Sequence, residues 1–234
     1  MIVGNGMLAK AFQPFDDDLS DCVIFASGVS NSRETRKLEF DRECDLLNSY
    51  IGLDSVVVYF STCSIYDPAS VGSHYVRHKL HMERLVRNSS RYYIFRLPQV
   101  VGETSNKFTL ANYLYGKISN LERFELWANS ARNLIDVEHV ALFVNYFIHK
   151  KIGTNEVINI ACPFSVSVGD IVKCFEELLD RRAVYDLLGL GSDYQIDTDM
   201  VSRHSKELGV MFDDQYVSRT LSKYYPRHGG DGVG

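Results

Sequence analysis

The chain has 234 residues, of which 45% are hydrophobic and 24% charged, the proportions of a globular protein able to bury a core and far from those of disordered or collagen-like chains. Lys and Arg number 25 against 30 for Asp and Glu, a formal charge of −5 with no basic block; this removes the electrostatic basis of general nucleic-acid binding and leaves small anionic ligands open. The five cysteines, Cys22, Cys44, Cys63, Cys162 and Cys174, form no CxxC pair and no His/Cys ligand spacing, so a reducing compartment is expected and a metal site is not.

Met1 runs straight into the strand-like pair Ile2-Val3, without a charged region and apolar signal segment, and no apolar run approaches a membrane span. A cytoplasmic protein without a membrane partner is expected. Gly4-Asn5-Gly6 followed by residues 7–12 reads as a tight glycine turn and a helix start, ended by Asp16-Asp17-Asp18. Residues 22–26 are continuously apolar and closed by Ser27-Gly28, the pattern of a strand buried on both faces. Residues 33–51 have helical spacing. A second buried strand, 55–60, ends at Ser61-Thr62-Cys63-Ser64; a helix over 73–86 follows, and a third strand, 92–97, ends at Pro98. Alternating strands and helices with wholly apolar strands predict a parallel sheet covered by helices, with ligands beyond the carboxyl ends of the strands.

Beyond Gly102 the organisation changes. A helix is expected over 108–121, short strands at 124–127 and 157–160, and a helix over 168–180 that Ser167 and Asp170 cap. Residues 185–226 read as a small helical lobe rich in tyrosine. The predicted division is a Rossmann-like dinucleotide-binding domain over 1–102, completed by parts of 124–160, a substrate-binding lobe over most of 103–226, and a disordered glycine-rich tail over 227–234. The fold class is α/β.

Gly4-x-Gly6-x-x-Ala9, between a strand and a helix, has the spacing that lets backbone amides approach a pyrophosphate; a turn that needs glycine for backbone reasons alone is the competing reading. Tyr75 and Lys79 lie four apart on a helix, so they project from one face. A lysine ammonium beside a phenol stabilises phenolate and equips the tyrosine for proton exchange with a hydroxyl or carbonyl. In a chain with 14 tyrosines the pair alone is compatible with a surface role. Cys63 has no His–Asp arrangement around it to make it a nucleophile. His74 and His78 lack a third ligand.

The ordered set is more informative. Gly4-Asn5-Gly6-Met7-Leu8-Ala9, Phe25-Ala26-Ser27-Gly28, Phe60-Ser61-Thr62-Cys63-Ser64-Ile65-Tyr66, Tyr75-Val76-Arg77-His78-Lys79, Phe95-Arg96-Leu97-Pro98-Gln99-Val100-Val101-Gly102 and Arg132-Asn133-Leu134-Ile135-Asp136-Val137-Glu138-His139-Val140-Ala141 resemble, in order, the motifs of the extended short-chain dehydrogenase/reductases that act on nucleotide sugars. The resemblance covers roughly residues 1–225. It implies NAD or NADP held by Gly4, Gly6, Met7, Leu8, Ala26, Ser27, Gly28, Lys79 and Pro98, with a nucleoside-diphosphate sugar between the sheet and the C-terminal lobe. By the same resemblance Tyr75 is the catalytic acid/base, Lys79 holds the nicotinamide ribose and tunes that tyrosine, and Thr62 bonds the reacting sugar oxygen. Capping of local backbone is the other reading of Thr62. Ser64, Gln99 and Arg132 fall on the substrate side; Gln99 stands where the family often has Asn, and Arg132 matches an arginine that contacts the nucleotide.

Dehydratases of this family place Asp and Glu directly after the hydroxyl residue, for the proton transfers that removing water requires. Cys63 and Ser64 stand there, which argues against dehydration. The expected function is NAD(P)H-dependent reduction of a keto group, at C4, on a nucleotide-linked sugar in polysaccharide biosynthesis. A nucleotide-sugar 4-epimerase with tightly bound NAD and a non-catalytic nucleotide-sugar-binding protein are the alternatives. Pairing through the helix bearing Tyr75 would make a homodimer. Two departures stand out: about a dozen residues separate the first helix from the strand at Cys22, without an acidic residue placed for the adenosine ribose, and only 13 positions link Thr62 to Tyr75.

Overall fold

Runs of β-branched and aromatic residues alternate with amphipathic stretches along this chain, and each becomes one element. The computed structural model describes residues 1–227; most of the tail expected to be disordered, from residue 228 on, lies outside the described residues. In chain order the first half contains β1 (Ile2–Val3), α1 (Met7–Phe12), β2 (Cys22–Phe25), α2 (Lys37–Asn48), β3 (Val56–Thr62), α3 (His74–Val86), β4 (Tyr92–Leu97) and β5 (Gln99–Val101). Then come α4 (Leu110–Ser119), β6 (Phe124–Trp127), β7 (Ala131–Arg132), β8 (Leu134–Asp136), α5 (Val137–His149) and β9 (Val157–Asn159). The chain closes with β10 (Val166–Ser167), α6 (Val168–Leu179), β11 (Tyr185–Leu188), α7 (Asp199–Ser205) and α8 (Tyr216–Tyr224).

The central sheet has five parallel strands in the order β1-β2-β3-β4-β9. Alternation along each strand divides its side chains between two faces. Ile24, Val58, Phe60 and Phe95 meet Phe12 of α1 and Val140, Val144 and Phe147 of α5. On the other face Val23, Phe25, Val57, Tyr59 and Ile94 meet Leu47 of α2 and Met82 and Val86 of α3. Each such buried side chain contributes about 1.5–3 kcal/mol over its exposed state. This is the Rossmann-like α/β fold expected from the sequence, with one wing: β1 is an edge strand, and residues 13–21 carry the chain from α1 directly to β2 beside it.

The remaining strands pair in twos, β5 with β8, β7 with β10 and β6 with β11. A second core forms where α4, α6 and α8 pack around Phe124, Leu126 and Leu134. Asp136 joins this part to α5: its carboxylate caps α5 through the Glu138 N–H and accepts from Tyr224 Oη at 2.6 Å and Lys223 Nζ at 2.9 Å. One expectation is corrected. Within 185–226, read as helical, residues Tyr185–Leu188 form a strand, because Tyr185, Asp186, Leu187 and Leu188 pair in parallel register with Phe124, Glu125, Leu126 and Trp127. That pairing crosses some sixty residues of chain and leaves no local periodicity.

Candidate active site

A cleft of about 350 Å³ opens beyond the carboxyl ends of β1 to β4, the position where open parallel sheets bind ligands. Gly6, Met7 and Leu8 line it after β1, and Ala26, Ser27 and Gly28 after β2. Thr62 and Ser64 follow β3, Tyr75 and Lys79 come from α3, and Pro98 and Gln99 follow β4. The structure thus brings together most of the residues singled out in the sequence. Gly4 and Arg132 are not on this wall. The Arg132 guanidinium donates to the carbonyls of Ala131, at 2.7 Å, and Ser192, at 3.0 Å.

The two glycines of the first turn do different work. Gly4 has φ +124°, and a Cβ there would stand 2.6 Å from the Ala26 carbonyl oxygen; it is glycine because β1 and β2 approach there and the backbone is left-handed. Gly6 has φ −78° and ψ −173°, open to any residue, and a Cβ there would meet nothing within 4 Å. Nothing in the folded chain requires glycine at position 6. Its bare backbone instead faces the cleft.

Gly28 exposes a third demand. A Cβ on it would lie 2.7 Å from Lys79 Nζ and 2.9 Å from Glu43 Oε1, so its lack of a side chain lets a buried ion pair sit directly beneath the cleft floor. Lys79 is 3% exposed and Glu43 fully buried. The three donors of the ammonium go to Glu43 Oε1 at 3.1 Å, Tyr59 Oη at 3.1 Å and the Phe60 carbonyl at 3.4 Å. Glu43 Oε1 also accepts from Tyr59 Oη at 2.7 Å, and Oε2 from the Val29 N–H at 2.6 Å and His78 Nε2 at 3.0 Å. Burial pushes the Glu43 carboxyl up, but the Lys79 charge and the donors from His78, Val29 and Tyr59 outweigh it and hold Glu43 at about 2. Burial, with the Glu43 charge, pushes the Tyr59 phenol well above its ordinary range.

Above this pair Tyr75 packs on Val29 and Val76, 9% exposed, with its ring 5.9 Å from Lys79 Nζ. Among the described residues no hydrogen bond holds the Tyr75 hydroxyl, which leaves it available to a ligand. Thr62 Oγ1 accepts from the Ser64 N–H at 3.0 Å and donates to Ser64 Oγ at 3.0 Å. The capping reading of Thr62 is therefore realised, and Ser64 lines the cleft beside it.

Four residues on, Glu83 repeats the pattern. It accepts two bonds from Arg96, both at 2.8 Å, and one from Ser61 Oγ at 2.6 Å, which pins α3 to β3 and β4 just behind the site. Burial raises Glu83, but these partners pull it below the usual carboxylate range. Cys63 is fully buried and burial pushes its thiol far up, an inert environment for a nucleophile. His74 is exposed, whereas His78 stacks on Phe40 at 4.5 Å and bonds Glu43.

Glu43 and Glu83 were not singled out in the sequence. For Glu83 the available signal was position: 75, 79 and 83 recur every four residues on the face of α3 that also carries Met82 and Val86. Charged residues on a buried face need buried partners.

No protein-family model and no curated protein matches the sequence. Solved structures do match in fold. MoeE5 in complex with UDP-glucose and NAD aligns at TM-score 0.64 and 17% identity, over 93% of this chain and 83% of that one. RMD from Pseudomonas aeruginosa, complexed with NADPH, aligns at 0.62 and 15%, over 93% and 84%. UDP-N-acetylglucosamine 4-epimerase from Bacillus cereus aligns at 0.64 and 17%, over 94% and 82%. At the level of fold, the expected likeness to the extended short-chain dehydrogenase/reductases is borne out.

Proposed function

We propose that this protein is an NAD(P)H-dependent reductase of a keto group, at C4, on a nucleoside-diphosphate sugar, serving glycan assembly. The observation that carries the reading is the Tyr75 hydroxyl, without a hydrogen-bond partner among the described residues, near the buried Lys79 and in the same cleft as the Thr62–Ser64 hydroxyl pair and Gly6. Neighbours in fold that hold UDP-glucose with NAD, or NADPH, support the cofactor and substrate class.

When bound, a nicotinamide cofactor supplies the hydride for the carbonyl carbon. Tyr75 gives its proton to the carbonyl oxygen as that oxygen takes up negative charge, and the phenolate is reprotonated from solvent. Ser64, whose oxygen already accepts from Thr62, donates to the same oxygen and fixes its position. The buried Lys79 ammonium, 5.9 Å from the centre of the Tyr75 ring, stabilises the transient phenolate through its charge. Gly6 leaves its backbone bare for a pyrophosphate.

A 4-epimerase must retain its cofactor through both half-reactions, whereas a reductase exchanges it every turnover. A sheet that stops at β1 gives the cofactor fewer contacts, which favours the reductase. The test is loss of nicotinamide absorbance when purified protein meets NADH or NADPH and a panel of nucleotide 4-ketosugars. Stoichiometric consumption with one member is expected. No consumption with any member overturns the reading, and interconversion of C4 epimers without net consumption replaces it with the epimerase.

A further inference from the structure

In a doubly wound dinucleotide-binding sheet the two halves of the cofactor lie over two wings that meet at the first strand. An acidic residue about 20 positions past the glycines takes the adenosine ribose, or an arginine takes its 2′-phosphate. Here β1 has β2 as its one neighbour among the described residues, and the whole sheet lies to that side. The residues about 20 positions past Gly6 are Phe25 and Ala26, which belong to β2 and its end; the Ala26 N–H donates to the Val3 carbonyl at 2.8 Å. Asp16, Asp17 and Asp18 are exposed and do not line the cleft.

The cleft itself runs from Gly6 to Tyr75 and ends at a rim where Asn106 Nδ2 donates to Ser30 Oγ at 3.3 Å. Arg42 directs its guanidinium to the Ser27 carbonyl at 3.2 Å and to Glu39 at 3.5 Å. The groups that line the cleft thus suit a pyrophosphate and a nicotinamide riboside. Among the described residues the adenosine side has no second wing to lie against.

Building on the reductase reading, we infer that the site grips only the nicotinamide mononucleotide half of its cofactor and leaves the adenosine half in solvent, so that it takes NADH and NADPH alike. The dinucleotide is bound by one end. Its 2′-phosphate then meets none of the residues that line the cleft.

Calorimetric titration of the full chain with NADH, NADPH, reduced nicotinamide mononucleotide and AMP tests this without any turnover. The three nicotinamide compounds are expected to bind with dissociation constants within about tenfold of one another, and AMP to give no heat. Gly6→Leu, which meets no chain atom within 4 Å at Cβ, is expected to weaken all three by more than about tenfold. Binding of AMP, a larger preference between NADH and NADPH, a larger deficit for the mononucleotide, or unchanged binding by Gly6→Leu each overturns this inference and leaves the reductase reading standing. Absence of binding by all three nicotinamide compounds overturns both.

Discussion

The carboxylate of Glu43 is fully buried, and its two oxygens accept from Lys79, Tyr59, Val29 and His78. Such a cluster is stable only as a whole, because losing one partner strands a charge away from water. Glu43→Gln leaves the Lys79 ammonium without a counter-charge and is expected to destabilise the protein by about 3–5 kcal/mol, read from the urea midpoint. The same group sets an acid limit. Its folded pKa, about 2 against an ordinary 4.5, is depressed, so its stabilisation is complete above pH 4.5 and is lost as pH falls through about 2. The amount is on the order of 3 kcal/mol. Between pH 5 and pH 2 the wild type is expected to lose that much more stability than Glu43→Gln; equal losses would remove Glu43 from the acid response. Tyr75→Phe takes only the free hydroxyl and is expected to lower kcat by about 10²–10⁴ while leaving nicotinamide binding intact, as calorimetry would show. Tyr75 and Lys79 could be picked out in the sequence because they share one helix face. Glu43 could not, since His78 and Lys79 lie 35 and 36 residues away from it and only the fold brings them together.

At the level of elements, α3 is positioned by charge as much as by apolar contact. Met82 and Val86 seat it on the sheet, while Lys79–Glu43 and Glu83–Arg96 bind it to α2 and β4. The first turn separates a structural glycine from a functional one, and the two are expected to respond oppositely. Gly4→Ala forces a Cβ to 2.6 Å from the Ala26 oxygen at a positive φ and is expected to cost more than about 2 kcal/mol in chemical denaturation. Gly6→Ala is expected to leave stability within about 1 kcal/mol and to weaken cofactor binding. A loss of stability at Gly6 equal to that at Gly4 would contradict the assignment. The strands at 22–25, 56–62 and 92–97 were legible because both of their faces are buried and their sequences are apolar but for Ser61, Thr62 and Arg96 near their carboxyl ends. β11 was not: the burial pattern of Tyr-Asp-Leu-Leu is mostly exposed, and its strand character comes from β6 alone.

Across the whole molecule, a one-winged parallel sheet carries the cleft, and a second core built by α4, α6 and α8 stands beside it. The sheet edge should be its weakest part. β1 pairs over two residues on one side only, whereas β3 and β4 each have two neighbours; amide exchange is therefore expected to be fastest at β1 and slowest in β3 and β4. Uniform protection across the five strands would contradict this order. The shortened link after α1 was visible in the sequence as a gap in length. Its consequence, that the sheet ends at β1, required the strand order. The claim on which the account turns is hydride delivery to a sugar carbonyl in this cleft. Its most direct measurement uses nicotinamide cofactor deuterated at the transferring carbon, with the nucleotide 4-ketosugars and mass analysis of the products. Deuterium on the former carbonyl carbon, incorporated far more slowly by Tyr75→Phe, is the predicted result, and products without deuterium, or ketosugars returned unchanged by the wild type, would contradict it.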